Sequence, residues 1–248
     1  MSIRVRNAIK KISSVIMVFA LLLGMLTVSG NTITAKASES PVKLYSLEGQ
    51  TVYHGISGYN VYIQIESGSA ANKSVSIQYS NGSTWSETNA TFYTNLNSET
   101  EIWRATLSGA GLTEFKIKYV GDNITYWDNN GNTRQFSNPL GEANVQALRT
   151  GCKVYSCYDI YAAIKNIAYT KEVKVRYTQN NWATYQEANL QYDHTITGTD
   201  TEIWKTTLSL DSDQMGNFQY CISYQVNGQT YWDNNFGANY DSSYHSQY

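Results

Sequence analysis

The chain has 248 residues, of which only 15% are charged, and its formal net charge at pH 7 is −2. Residues 1–37 hold five of the 18 Lys and Arg side chains and none of the 20 Asp and Glu side chains, so the rest of the chain carries a net charge of about −7. Nucleic acid affinity depends mainly on Lys and Arg at phosphates, and this charge therefore argues against a nucleic acid partner.

The amino-terminal segment has the three parts of a secretory signal peptide. Basic residues at 4–11 precede an apolar run at 15–26, and a small-residue cleavage site, Ala-Lys-Ala, occupies residues 35–37. A membrane-spanning helix needs about 20 apolar residues, and Gly24 breaks this run. We therefore expect residues 1–37 to be removed, and the mature chain to be secreted without a membrane anchor.

The next stretch, residues 41–137, alternates apolar and polar side chains in short segments separated by turn residues. Residues 75–79, 103–107 and 115–119 each place apolar side chains at every second position. Alternation with period two predicts strands that bury one face. A Tyr-Trp-Asp-Asn-Asn pentapeptide follows at residues 126–130.

Residues 144–241 repeat the same order of features. Alternating segments occupy residues 173–177, 204–208 and 220–224, and a second Tyr-Trp-Asp-Asn-Asn pentapeptide occupies residues 231–235. Self-similarity in a fixed order indicates one structural unit present twice. Short strands with turns about every ten residues are typical of antiparallel β-sandwiches. We therefore predict an all-β fold of two tandem sandwich modules, at residues 41–137 and 144–241, whose linker is too short for free tumbling.

All three cysteines, Cys152, Cys157 and Cys221, lie in the second copy. In an exported chain they could supply one disulfide and one free thiol, and the sequence leaves the pairing open. Neither a Cys-x-x-Cys pair nor a paired-His spacing supports a metal site. We therefore expect no metal and no cofactor.

The second copy carries an ordered set of residues that points to a known family. The set comprises residues 145–148, 164–169, 173–177, 181–182, 203–204, 228–235 and 238–240. It resembles the starch- and glycogen-binding family 21 of carbohydrate-binding modules, which includes modules attached to glucoamylases and modules in glycogen-targeting subunits of protein phosphatase 1. The first copy resembles the family less closely but keeps Trp85, Trp103 and residues 126–130.

The resemblance implies an immunoglobulin-like sandwich with up to two α-glucan sites per module. The residues that match the first site are Trp182, Trp232, Asp233, Asn234 and Asn235 in the second copy and Trp85, Trp127, Asp128, Asn129 and Asn130 in the first. The residues that match the second site are Tyr169, Lys171 and Tyr192.

The match to the family is incomplete at three places. In the first copy Ala71 stands where Tyr169 stands in the second, and either Phe92 or Tyr93 could match Tyr192. The family often has a third aromatic residue in the first site, and Lys116 and Cys221 stand at that place in the two copies. The second site is therefore not clearly present in the first copy.

Several of these residues also have a plain structural interpretation. Trp103 and Trp204 share strand faces with aliphatic residues, and we expect them in the core. Asp128 and Asp233 could equally be turn caps that bond to nearby backbone. Tyr126 and Tyr231 alternate with Trp127 and Trp232, so one member of each pair should be buried.

Catalysis is not supported by the sequence. A glycosidase needs two placed carboxyl groups, and Asp128 and Asp233 recur without a second acid beside them except Glu101 and Glu202, next to the presumed core tryptophans. We expect a secreted, non-catalytic protein that binds α-glucans (starch, glycogen or maltodextrins) through exposed aromatic residues, with avidity from two modules and secreted amylases as candidate protein partners. The alternative is an extracellular structural or adhesion protein that binds another protein or a cell-wall glycan.

Overall fold

The structure is a computed structural model that describes residues 40–52, 55–148, 152–154, 157–210 and 216–241. The predicted signal peptide, residues 1–37, lies outside these ranges. All strand pairs among the described residues are antiparallel, and the prediction of an all-β fold built from antiparallel sandwiches is confirmed. Within the same ranges, no helix combines the length and the hydropathy needed to cross a membrane.

The first sandwich consists of two four-stranded sheets and one short added strand. Its strands are β1 (Val42–Val52), β2 (Gly55–Glu66), β3 (Lys73–Ser80), β4 (Trp85–Asn89), β5 (Thr91–Asn97), β6 (Thr100–Ser108), β7 (Glu114–Gly121), β8 (Ile124–Asp128) and β9 (Arg134–Gln135). One sheet has the order β1-β2-β6-β5 and the other has the order β4-β3-β7-β8, with β9 paired to β7.

The second sandwich has the same strand order. Its strands are β10 (Val145–Leu148), β11 (Cys152–Val154), β12 (Cys157–Lys165), β13 (Lys171–Thr178), β14 (Gln186–Asn189), β15 (Gln191–Thr195), β16 (Thr201–Ser209), β17 (Gln219–Val226), β18 (Gln229–Asp233) and β19 (Tyr240–Asp241). One sheet has the order β10-β12-β16-β15, with β11 paired to β12, and the other has the order β14-β13-β17-β18, with β19 paired to β17. A short 3-10 turn, Asn235–Gly237, follows β18.

Each core follows from the alternation in the strands. In β7, Phe115, Ile117 and Tyr119 are fully buried, whereas Lys116 and Lys118 face the other side of the sheet. The buried apolar residues of each sandwich come from both of its sheets. Two sheets that face each other across one apolar layer leave their outer faces available to solvent and ligands.

The segment that joins the sandwiches is bonded to the first strand of the chain. The backbone N–H of Leu47 donates to the carbonyl of Pro139 (2.8 Å), and that of Gly141 donates to the carbonyl of Tyr45 (3.1 Å). A Cβ at Gly141 would lie 2.0 Å from the carbonyl oxygen of Leu44, so only glycine allows this approach.

A small apolar cluster continues this contact into the second sandwich. Leu140 and Ala143 of the joining segment are buried against Ala163 and Ile203. The described residues from Ser40 to Asp241 belong to one compact unit, and the two sandwiches are in direct contact.

Candidate functional site

The outer face of the β14-β13-β17-β18 sheet carries a cleft of about 280 Å³. Its lining combines three aromatic side chains with polar groups at the base and the rim. The lining residues are Arg176, Trp182, Tyr185, Cys221, Trp232, Asn234 and Asn239.

The alternation in β18 turns Trp232 toward this cleft. Tyr231 faces the core, where its ring centroid lies 6.0 Å from that of Tyr224. Trp232, one residue later, is 44% exposed. In the first sandwich Tyr126 likewise packs against its core and Trp127 is 39% exposed. In both pentapeptides the tyrosine is therefore the structural residue and the tryptophan is the one that solvent and ligands can reach.

Arg176 holds two of the cleft's rings in place. Its guanidinium carbon lies 4.6 Å from the ring centroid of Tyr185 and 4.7 Å from that of Trp232. Such cation–π contacts stabilise the arrangement of the rings. Arg176 also pairs with Glu187 at 2.8 Å, so its charge is neutralised and the cleft suits an uncharged ligand.

Cys221 lies beneath the aromatic side chains. Its side chain is buried, and desolvation raises the pKa of its thiol to about 11. Since the thiolate is the reactive form of cysteine, Cys221 stays protonated at neutral pH and acts as a small apolar residue.

Trp182 enters the cleft from the loop between β13 and β14. Its indole N–H donates to Oε1 of Gln219 (2.6 Å), and its backbone N–H donates to the hydroxyl of Thr178 (3.1 Å). The backbone of Trp182 is left-handed, with φ of 65°. These contacts hold the half-buried indole at the edge of the cleft.

The first sandwich has two exposed tryptophans at the matching face of the β4-β3-β7-β8 sheet. Trp85 is 49% exposed, and the ammonium of Lys116 lies 5.1 Å from its ring centroid. The ammonium of Lys118 lies 5.9 Å from the ring centroid of Trp127. This surface is therefore more basic than the cleft of the second sandwich, and a lysine stands over each ring.

The strand register corrects one sequence alignment. The sequence analysis matches Trp85 with Trp182. In the structure Trp85 lies one residue before the strand partner of Tyr79. In the second sandwich the residue one position before the strand partner of Tyr177 is Tyr185. The loop that leads into β14 is longer than the loop that leads into β4, so Trp182 has no counterpart in the first sandwich. Tyr185 is the true counterpart of Trp85, and we did not identify it from the sequence.

Asp233 has a structural role. Its carboxyl group accepts hydrogen bonds from the backbone N–H of Ala147 and Asn235 and from the hydroxyl of Tyr240. It ties the end of β18 to β10 across the sandwich. Desolvation raises the pKa of Asp233 to about 6. Asp233 is one of the predicted sugar contacts, but two backbone N–H groups and one phenol hydroxyl already bond to its carboxyl oxygens, which leaves few free acceptor positions for a ligand.

Asp128 has the same position in the first sandwich. It accepts from the backbone N–H of Leu44, and the guanidinium of Arg134 binds it at 2.7 Å. An arginine thus takes the place that Tyr240 has beside Asp233. We assign both aspartates to the anchoring of the pentapeptides, because their oxygens are already bonded within the protein.

The asparagines of the pentapeptides shape turns. Oδ1 of Asn129 accepts from Gly131 (3.1 Å), and Asn130 is exposed with a φ of 49°. Oδ1 of Asn234 accepts from Gly237 (3.0 Å), and Nδ2 of Asn235 donates to the carbonyl of Asn239. Asn234 also lines the cleft, so it is the pentapeptide asparagine best placed for a ligand.

Of the second predicted set of residues, two are accessible and one is not. Tyr169 is fully exposed and Tyr192 is exposed. Lys171 has a side chain only 4% exposed, and its ammonium binds both carboxylate oxygens of Glu202 at 3.0 Å. Glu202 in turn accepts from the indole N–H of Trp204 (2.9 Å).

The first sandwich repeats this last arrangement. Lys73 binds Glu101 at 2.6 Å, and Glu101 accepts from the indole of Trp103 at 2.9 Å. Trp103 packs against its core while remaining half-buried. The arrangement recurs in both sandwiches, and the ammonium of Lys171 is already bonded to Glu202. We therefore assign Lys171 a structural role and do not count it among the ligand contacts.

The comparison with protein families matches one model. It is the carbohydrate/starch-binding module (family 21), matched over residues 160–243. No part of the first sandwich lies in the matched range. Among the residues that the structure describes, no three His, Cys, Asp or Glu side chains form a group that could hold a metal ion.

Similar sequences occur in regulatory subunits of a phosphatase. Protein phosphatase 1 regulatory subunit 3B of Danio rerio is 38% identical over 80 residues, which are 31% of this chain and 27% of that protein. The subunit 3B of Homo sapiens is 35% identical over 80 residues, which are 31% of this chain and 28% of that protein. The chain thus spans about a quarter of the length of these relatives.

Two solved structures are also similar. The starch-binding domain of Rhizopus oryzae glucoamylase, solved in complex with β-cyclodextrin and maltoheptaose, is 30% identical; the match covers 40% of this chain and 92% of that one, with a TM-score of 0.33. The carbohydrate-binding module of the muscle glycogen-targeting subunit of protein phosphatase-1 is 24% identical; the match covers 39% of this chain and 73% of that one, with a TM-score of 0.34.

Proposed function

We propose that this protein binds α-glucans such as starch, glycogen or maltodextrins without chemically altering them, and that the cleft of the second sandwich is the main site. The observation that carries the proposal is the set of three aromatic side chains, Trp182, Tyr185 and Trp232, around a cleft whose one cation is already paired with Glu187. The family match at residues 160–243 supports the same ligand class.

The chemistry of the cleft fits a sugar polymer. Glucose rings present C–H faces that pack on the flat faces of Trp and Tyr, and rings with two side-chain torsions lose little conformational entropy on binding. Asn234 and Asn239 at the rim can exchange hydrogen bonds with the hydroxyl edge of the sugar. A concave surface with aromatic faces on more than one side favours a curved α-1,4-glucan over a flat β-1,4-glucan.

The first sandwich has a supporting role in this proposal. Trp85 and Trp127 offer a second, more exposed aromatic surface. Each net hydrogen bond contributes only about 0.5–1.5 kcal/mol, so a single site should be weak, and a second linked site raises the effective concentration of ligand. In the same proposal the protein is exported and works beside secreted amylases.

Retention on insoluble starch, competed by maltoheptaose, tests the proposal. The full chain should be retained by starch granules and by glycogen, and retained far less by cellulose. Trp232→Ala should weaken the affinity roughly tenfold, because a central aromatic contact in an interface typically contributes more than 1 kcal/mol.

Ile124→Ala is the matched control. It removes an exposed apolar side chain from β8 of the first sandwich and should leave retention unchanged. A wild-type chain that passes starch and glycogen columns without delay would refute the proposal, and retention on cellulose alone would assign a different glycan.

A further inference from the structure

The loop that follows β18 forms part of the cleft and has an unusual backbone. We define the cleft loop as residues 234–239, whose first and last residues, Asn234 and Asn239, line the cleft. Between them Asn235, Phe236 and Gly237 all have left-handed backbones, with φ of 52°, 54° and 97°. Left-handed backbone is common for Gly and tolerated by Asn, but a bulky residue such as phenylalanine adopts it only when its surroundings hold it there.

The side chain of Phe236 is held by the first sandwich. Its ring centroid lies 5.7 Å from that of Tyr45, 5.0 Å from that of Tyr62 and 5.5 Å from that of Tyr93. These tyrosines belong to β1, β2 and β5. The rings meet in tilted and edge-to-face geometries, and these centroid distances lie in the range that is favourable for aromatic pairs. The strained residue of the second sandwich is therefore anchored outside its own sandwich.

Hydrogen bonds within the cleft loop join the residues around Phe236 to one another. The backbone N–H of Asn239 donates to the carbonyl of Asn234 (2.7 Å), which closes the loop around Phe236. Oδ1 of Asn234 accepts from Gly237, the neighbour of Phe236 (3.0 Å). A change in the position of Phe236 consequently displaces both Asn234 and Asn239.

The first sandwich has a glycine at the position that Phe236 occupies in the second. The residue that follows its pentapeptide is Gly131, with φ of 81°, whereas the residue that follows the second pentapeptide is Phe236. Glycine takes this conformation at no steric cost. The turn of the first sandwich therefore holds no bulky side chain in a left-handed backbone at this position, whereas in the second sandwich that residue is a phenylalanine packed against another part of the chain.

We propose that the first sandwich positions the sugar-binding loop of the second, with Phe236 as the positioning residue that transmits the contact. This inference rests on the proposed function, since it assigns the cleft loop to the glucan site. The first sandwich then serves as a structural support as well as a second binding surface. Without the anchor the binding-competent loop is only a minor conformer, and the measured affinity falls in proportion to its population.

The test isolates the second site in the full chain. In a Trp85→Ala/Trp127→Ala background, maltoheptaose is titrated by calorimetry, and amide hydrogen exchange of residues 234–239 is followed without sugar. Phe236→Ala should weaken binding on the order of tenfold, since a left-handed backbone is unfavourable for alanine by a factor of that order. Phe236→Gly should bind more tightly than Phe236→Ala because glycine relieves the strain.

Variants of the first sandwich decide whether Phe236 acts by positioning the cleft loop or by direct contact with the sugar. Tyr93→Ala should weaken binding severalfold and speed exchange in the cleft loop, and adding it to Phe236→Ala should have no further effect. Leu96→Ala, on the same strand as Tyr93 and exposed, should change neither. Unchanged affinity and exchange in Phe236→Ala and Tyr93→Ala, or additive effects, would overturn the inference. If the Trp85→Ala/Trp127→Ala background protein binds no sugar, the proposed function fails. Amide hydrogen exchange of the cleft loop then still decides whether the first sandwich positions the loop.

Discussion

Asp233→Asn should remove a pH dependence of stability that the wild-type protein has. Desolvation raises the pKa of Asp233 from 3.8 to about 6 in the folded protein. The folded state therefore prefers the protonated carboxyl group, so its contribution to stability is fully present below about pH 4 and is lost as the pH rises through 6. Raising the pKa of one carboxyl group from 3.8 to about 6 corresponds to about 3 kcal/mol of unfolding free energy.

The measurement is the difference in unfolding free energy between wild type and Asp233→Asn, from urea denaturation at several pH values. Asparagine cannot ionise, so carboxyl groups that do not interact with residue 233 contribute equally to both proteins and cancel. The wild type should lose about 3 kcal/mol relative to the variant between pH 4 and pH 7. A difference that stays constant over this range, or that changes in the opposite direction, would refute the assignment of a desolvated carboxyl group.

Three further predictions concern single contacts. Lys171→Met leaves the carboxylate of Glu202 buried without its partner and should cost about 3 kcal/mol of unfolding free energy. The control Lys174→Met breaks the more exposed pair with Glu172 and should cost less than about 1 kcal/mol. Equal losses in denaturant titrations would contradict the structural role of Lys171. Tyr185→Ala should weaken retention on starch as much as Trp232→Ala does, because it removes one face of the cleft and one contact of Arg176; wild-type retention would exclude Tyr185 from the site. Gly141→Ala should lower Tm, with a cost of about 2 kcal/mol, because its Cβ would collide with the carbonyl of Leu44, whereas Gly216→Ala, whose Cβ meets nothing within 4 Å, should melt like wild type.

The repeated pentapeptide and the period-two alternation were enough to predict the fold. They indicated strands, two units of the same kind and two recurring tryptophans, because strand periodicity and self-similarity are local properties of a chain. The resemblance to family 21 pointed to Trp182 and Trp232, which the structure brings to one cleft. Tyr185 was missed because the two loops differ in length, and its correspondence with Trp85 follows from the pairing of Tyr177 with Gln186, which only the folded sheet shows.

The functions of the charged residues could not be read from the sequence. Asp233 and Lys171 are common residue types for sugar contacts, yet their atoms are bonded within the protein, to Ala147 and to Glu202. The partners lie 86 and 31 positions away along the chain. Which contacts form at such separations depends on how the sheets pack, and alternation along one strand carries no information about that.

The sequence by itself determined that this protein is a pair of β-sandwiches with aromatic residues at recurring places. Alternation along the strand predicts that Tyr231 and Trp232 point to opposite faces of the sheet, but only the packing of the two sheets decides which of them is exposed to solvent. The same holds for Phe236, which follows the repeated string and looks like a loop residue in the sequence. Its ring lies against Tyr45, Tyr62 and Tyr93 only because the two sandwiches are in contact, and contact between distant segments is a property of the folded chain alone.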